Sequence, residues 1–167
     1  DIIENDISAS YAAKAEVKET LASAYSGQCG FTFVDILSGL EDATSSNFFP
    51  LFLSIFSSNQ IQVASCDQAI SILQSIGTVT TRTAKQNLFL SILGMARVGT
   101  TLASRLDADV DGVADAGSKV CENVHATDPH LPAAQIKKIA TGIGLIFENI
   151  SALSGMLDSS SNSLGGM

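Results

Sequence analysis

Residues Asp107 to Ser118 read DADVDGVADAGS, with Asp107, Asp109, Asp111 and Asp115 set around Gly112. Carboxylates at alternate positions of a curling chain converge on one centre, and a glycine after the third permits the sharp turn. Hard divalent cations take such oxygens at about 2.3–2.6 Å, so the chemistry this spacing offers is metal binding, with calcium the natural ion. The plainer alternative is a solvated acidic linker in which Asp109 or Asp111 caps the following helix and the other acids favour its positive end.

This stretch resembles the calcium loops of EF-hands and, in its Gly112-Val113-Ala114-Asp115 sequel, those of thrombospondin type 3 repeats. The likeness covers residues 107–118 and no other part of the chain. It implies ligands at Asp107, Asp109, Asp111 and Asp115 and calcium as the bound ion. Where those families place a final carboxylate this chain has Ser118, Gly117 fills the internal cysteine position of the type 3 repeat, and Glu122 comes four residues late. With the strongest ligand missing, the expected affinity is weak.

Cys121, His125, Asp128 and His130 are the other metal-capable group. A helix puts Cys121 and His125 on one face, but two ligands do not make a zinc site, and histidines at a helix terminus cap the last carbonyls. No nucleophile elbow, CxxC pair or paired catalytic acids stands out, and the glycines of Thr141-Gly142-Ile143-Gly144 fall inside a helical pattern, where they suggest close packing and not a phosphate loop. The chain therefore reads as non-enzymatic.

Those residues must be carried by helices, since apolar positions recur at helical spacing and strict alternation does not occur. The expected segments are 4–24, with Ile7, Tyr11, Val17, Leu21 and Tyr25 inward; 31–40; 47–56; 65–76, with Ile70, Leu73 and Ile76; 83–106, with Leu88, Ile92, Met95, Val98 and Leu102; 113–124; and 132–157. Connections are short, so the predicted fold is all-α, a single-domain antiparallel bundle of about six to seven helices over residues 1–158, followed by a Ser/Gly-rich tail at 159–167. The run from Phe48 to Phe56 holds four of the eight phenylalanines and reads as the central core helix, with a greasy pocket or a subunit contact as alternatives.

Three cysteines fit an exported protein with one disulfide and one spare thiol, or three buried reduced thiols. In an up-and-down bundle Cys29 and Cys66 stand at the starts of two helices running the same way, whereas Cys121 falls at the opposite end, so the expected bridge is Cys29–Cys66.

Composition narrows the function. The chain is 46% hydrophobic and 16% charged with a net charge of -8, and its nine Lys and Arg are scattered, with only Lys137 and Lys138 adjacent, which argues against nucleic acid. Its longest apolar run, from Ile139 to Phe147, is far too short to span a membrane. The chain opens on Asp1 without a basic or apolar leader, which suggests a removed leader and is compatible with a lipid anchor ahead of Asp1. The leading expectation is a non-enzymatic exported helical subunit of an envelope or extracellular assembly, fibrous assemblies included, that self-associates or meets other envelope or extracellular proteins. The location would be periplasmic, cell-surface or extracellular. The alternative is a soluble carrier binding an apolar or lipid-like ligand in the bundle core.

Overall fold

A computed structural model describes residues 8–29, 56, 62–109, 111, 113–116 and 131–164, with side chains to residue 152 in the last stretch. Its helices are α1 (Ala9–Ala12), α2 (Ala15–Gln28), α3 (Val63–Gln74), α4 (Ala84–Leu106) and α5 (Ala133–Leu164), and the described residues contain no strand. The all-α expectation holds, with five helices among the described residues against the six to seven expected. The segments expected at 31–40 and 47–55 lie outside the described residues, as does the expected helix at 113–124 beyond Ala116.

α4 is the spine. Thr83 stands before it in extended conformation, its hydroxyl accepting the Gln86 N–H while the Gln86 side chain accepts the Thr83 N–H at 2.9 Å, a reciprocal cap that fixes the start of the helix. Leu90 and Leu93 join Ala22, Ala69, Ile70, Leu73 and Leu145 in one apolar cluster. Further along, Ala96, Val98, Leu102, Ala103 and Leu106 join Cys29, Phe56, Cys66 and Leu131 in a second. Each fully buried leucine contributes roughly 1.5–3 kcal/mol.

Long-range bonds give the directions. Lys18 Nζ on α2 reaches the Ser75 carbonyl just past α3, while Cys29 at the far end of α2 meets Cys66 in the first turn of α3, so these helices run antiparallel. Asp67 pairs with Arg97 and Cys66 lies beside Thr100, which sets α4 antiparallel to α3. Arg82 bonds Asn149 while Gly94 and Val98 touch Gly142, so α5 returns along α4. At that crossing a Cβ on Gly142 would lie 2.8 Å from Val98 Cγ2 and 3.0 Å from the Gly94 carbonyl oxygen. Gly142 therefore serves close packing as expected, whereas Gly144 faces open space.

The structure departs from the expectations at several elements. The single helix expected over 4–24 is broken at Lys14, whose extended backbone separates α1 from α2, and α2 runs through Gly27 to Gln28. Its buried residues are Ala22 and Ser26, while Tyr11 is exposed and Val17 and Leu21 are only half-buried. Small side chains let α2 sit close to α3, and half-buried Lys18 and Glu19 gain tertiary bonds, which override the apolar pattern. Leu88, expected inward, is exposed, and buried Asn87 and Ser91 occupy the inner face instead. Val113 to Ala116 are not helical, because the amides of Val113 and Asp115 are bonded within the aspartate loop. α5 continues past Leu157 to Leu164, as helices propagate cheaply once formed.

Candidate metal centre

α4 delivers the loop. Its last buried residue is Leu106, and Asp107, 4% exposed, is its C-cap with φ -141° and ψ 75°, where the chain leaves the helix. The loop then closes on itself: the Asp111 N–H donates to Asp107 Oδ1 at 3.0 Å, the Ala108 N–H to Asp115 Oδ2 at 2.9 Å, and the Asp115 N–H to the Leu106 carbonyl at 2.6 Å. These bonds draw residues eight apart in sequence onto one side of the turn.

Carboxylate oxygens of Asp107, Asp109 and Asp115 lie within 4.8 Å of one another. Oxygens that far apart can share one calcium, since the ion sits about 2.3–2.6 Å from each ligand and spans roughly twice that. Three of the four aspartates singled out by their spacing are thus brought together. Asp111 is exposed and its Oδ1 accepts the Val113 N–H at 2.8 Å, a local turn that points this carboxylate back at its own backbone. Partial desolvation, then the negative charge of Asp111, a side-chain hydrogen bond with Asp107 and the charge of Asp115 hold the Asp109 carboxyl above the ordinary aspartate range. Such a group gains from either a proton or a cation. Ser118, Glu122, Cys121, His125, Asp128 and His130 lie outside the described residues.

The second chemistry read from the sequence concerns sulfur. Cys29 and Cys66 are fully buried with Cα atoms 5.0 Å apart, the separation of a disulfide, across the open end of the α2–α3 pair. Cys29 is the C-cap of α2 and Cys66 lies in the first turn of α3, so the two meet because antiparallel neighbours come together where one ends and the next begins, and not because two parallel helices start side by side.

Two polar clusters escaped the sequence reading. Arg82 is buried just before α4, donating from Nε to Asn87 Oδ1 at 3.0 Å, from Nη2 to Asn149 Oδ1 at 3.2 Å and from Nη1 to the Gly77 carbonyl. Asn87 and Asn149 donate onward to the carbonyls of Val79 and Leu145. Burial lowers the Arg82 pKa, partly offset by the charge of Glu148. Nearer the second cluster, Asp67 on α3 holds Arg97 of α4 at 3.0 Å and Lys138 of α5 at 2.7 Å. Two asparagines at the helical core spacing of apolar neighbours were the available signal for the first cluster.

Comparison with protein-family models, curated proteins and solved structures finds no match to this chain.

Proposed function

We propose that the chain is a non-enzymatic helical subunit of an exported assembly, in the envelope or outside the cell, that binds calcium in the Asp107–Asp115 loop. The observation that carries the assembly reading is the outward face of α5, where Ile143, Phe147 and Ile150 stand in water at helical spacing and Phe147 is 71% exposed. A contiguous apolar ridge on a solvated helix marks an interaction surface. No described helix is long and apolar enough to cross a membrane, so the ridge is not part of a helical span.

The remaining features agree with an exported setting. A Cys29–Cys66 bridge persists in oxidising compartments and not in reducing ones. Three carboxylates brought together among the described residues, with Ser118 where calcium loops place a final acid, suit the weak class of calcium site, with a dissociation constant of about 10⁻⁴–10⁻³ M, which fills only where calcium is abundant, as it is outside cells.

Size-exclusion chromatography with light scattering, run in millimolar calcium and in chelator, tests the reading, and an oligomer is expected in calcium. A monomer in both conditions overturns it. Native mass spectrometry that finds an apolar molecule of constant mass on the purified protein favours the carrier reading instead.

A further inference from the structure

Along α5, Lys137, Thr141, Gly144 and Glu148 follow one another at intervals of four, three and four residues, so they form one ridge down the helix. All four line a single open groove, together with Ala140 and Leu145 of α5, Gln74 at the end of α3 and Arg97 of α4. The ridge is symmetric in spacing and self-complementary in charge. Its two ends carry opposite charges, its middle is small, and the interval from Lys137 to Thr141 equals that from Gly144 to Glu148.

We infer that this face of α5 is the seam of a two-fold homodimer, in which a second copy lies antiparallel and each Lys137 meets the second copy's Glu148. The inference rests on the assembly reading above and names its partner. A two-fold contact requires a surface complementary to itself. An antiparallel copy centred between Thr141 and Gly144 meets that requirement, because it sets Lys137 against glutamate at both ends and Thr141 against glycine at both inner positions.

The middle is open to such an approach. A Cβ placed on Gly144 would meet nothing among the described residues within 4 Å, so the described helices do not explain the glycine, and a second backbone has room to come close. Phe147 borders the ridge, about a quarter turn away by the 3.6-residue period, and loses water when the ridge is covered, whereas exposed Ile143 and Ile150 lie further round the helix. Charge does not oppose the contact although the chain carries -8 overall: Lys137 and Glu148 cancel, and Arg97, the other charged residue lining the groove, is paired with Asp67.

Sedimentation equilibrium on the intact chain tests the seam, with circular dichroism melts to confirm folding. Wild type is expected to dimerise. Lys137→Glu alone places glutamates opposite each other and Glu148→Lys alone places lysines opposite each other, so each should weaken dimerisation by about tenfold or more. Mixed one to one, the two variants restore both attractive pairs and should associate with near wild-type affinity. Phe147→Ser, which touches neither charge nor the Arg82 cluster beside Glu148, should weaken dimerisation on its own. A monomeric wild type overturns both the seam and the assembly reading. A dimer unmoved by either reversal and by Phe147→Ser overturns the seam alone, and reversals that weaken dimerisation without recovery on mixing overturn the antiparallel pairing.

Discussion

Asp109 shows how a single residue sets the pH behaviour of the loop. Its carboxyl titrates above the ordinary aspartate range through partial desolvation and then the charges and bonds of Asp111, Asp107 and Asp115. A raised folded-state pKa means the folded chain binds this proton more readily than the unfolded chain, so without metal the loop is relieved, not weakened, as pH falls toward that range. Calcium competes for the same oxygens. Calcium affinity measured by calorimetry should therefore fall as pH drops through a range above that of a free aspartate, and Asp109→Asn should bind more weakly with a flatter pH profile; affinity independent of pH from about 4, the usual aspartate value, up to about 7 would rule this out. The alternating aspartates were legible as a ligand set from spacing alone. That Asp111 turns away was not, because a side chain bonding to its own backbone two residues on depends on the path the loop takes. Gly99 makes the same point for packing. The Phe56 ring lies directly over it, so Gly99→Ala should drive the ring out of its place and cost about 1–3 kcal/mol in a urea melt. Nothing in the helical pattern of α4 distinguishes that glycine from a solvent-facing one.

Among the elements, α4 was the most legible because its signals agree: a Thr-x-x-Gln cap, a long apolar period and no internal proline. Thr83→Ala removes the acceptor for the Gln86 amide and should lower stability by about 1 kcal/mol, read as a shift in the thermal midpoint with the helix content unchanged. α2 was legible as a helix but not as to its face. Ala22 and Ser26 pack because they are small enough to let α3 approach, and sequence periodicity weighs large apolar residues instead. The same helix carries Glu19, which accepts from the Gln86 side chain and pairs with Lys85 at 3.1 Å; the Gln86 bond first and then Lys85 hold its pKa below the usual glutamate value. A depressed folded-state pKa contributes stability above the unfolded value and loses it as pH falls through the folded one. Glu19→Gln should therefore flatten the acid limb of the stability profile below about pH 5, near the ordinary glutamate range, while an acid limb identical to wild type would show that the tie does not form in solution.

At the scale of the whole molecule, the four longer helices form a serial antiparallel arrangement in which each packs on the next, and α3 and α4 both contribute buried residues to both apolar clusters. The class was readable from period and short connections, whereas the internal polar fastening of Arg82, Asn87 and Asn149 was not, since it joins residues as far apart as 67 positions. That fastening fixes how far α5 slides along α4, and with it which residues α5 turns outward. The α2–α3 pair has a different fastening at its open end. Cys29 and Cys66 enclose a loop with a sequence separation of 37, and Phe56, which the loop contains, is anchored against α4 within the same cluster as both cysteines. Closing a loop of that length stabilises the fold by about 3–4 kcal/mol in the chain-entropy account, because the unfolded chain loses the freedom that the folded chain has already given up. Reduction under denaturing conditions, or Cys29→Ser with Cys66→Ser, should lower stability by that order and loosen the Phe56 anchor before α4 and α5 separate, since the bonds of Arg82 lie at the other end of α4. Non-reducing peptide mapping should find Cys29 joined to Cys66 and Cys121 free. A bridge that includes Cys121, or three free thiols in protein purified from an oxidising compartment, would overturn both the pairing and the exported setting it supports.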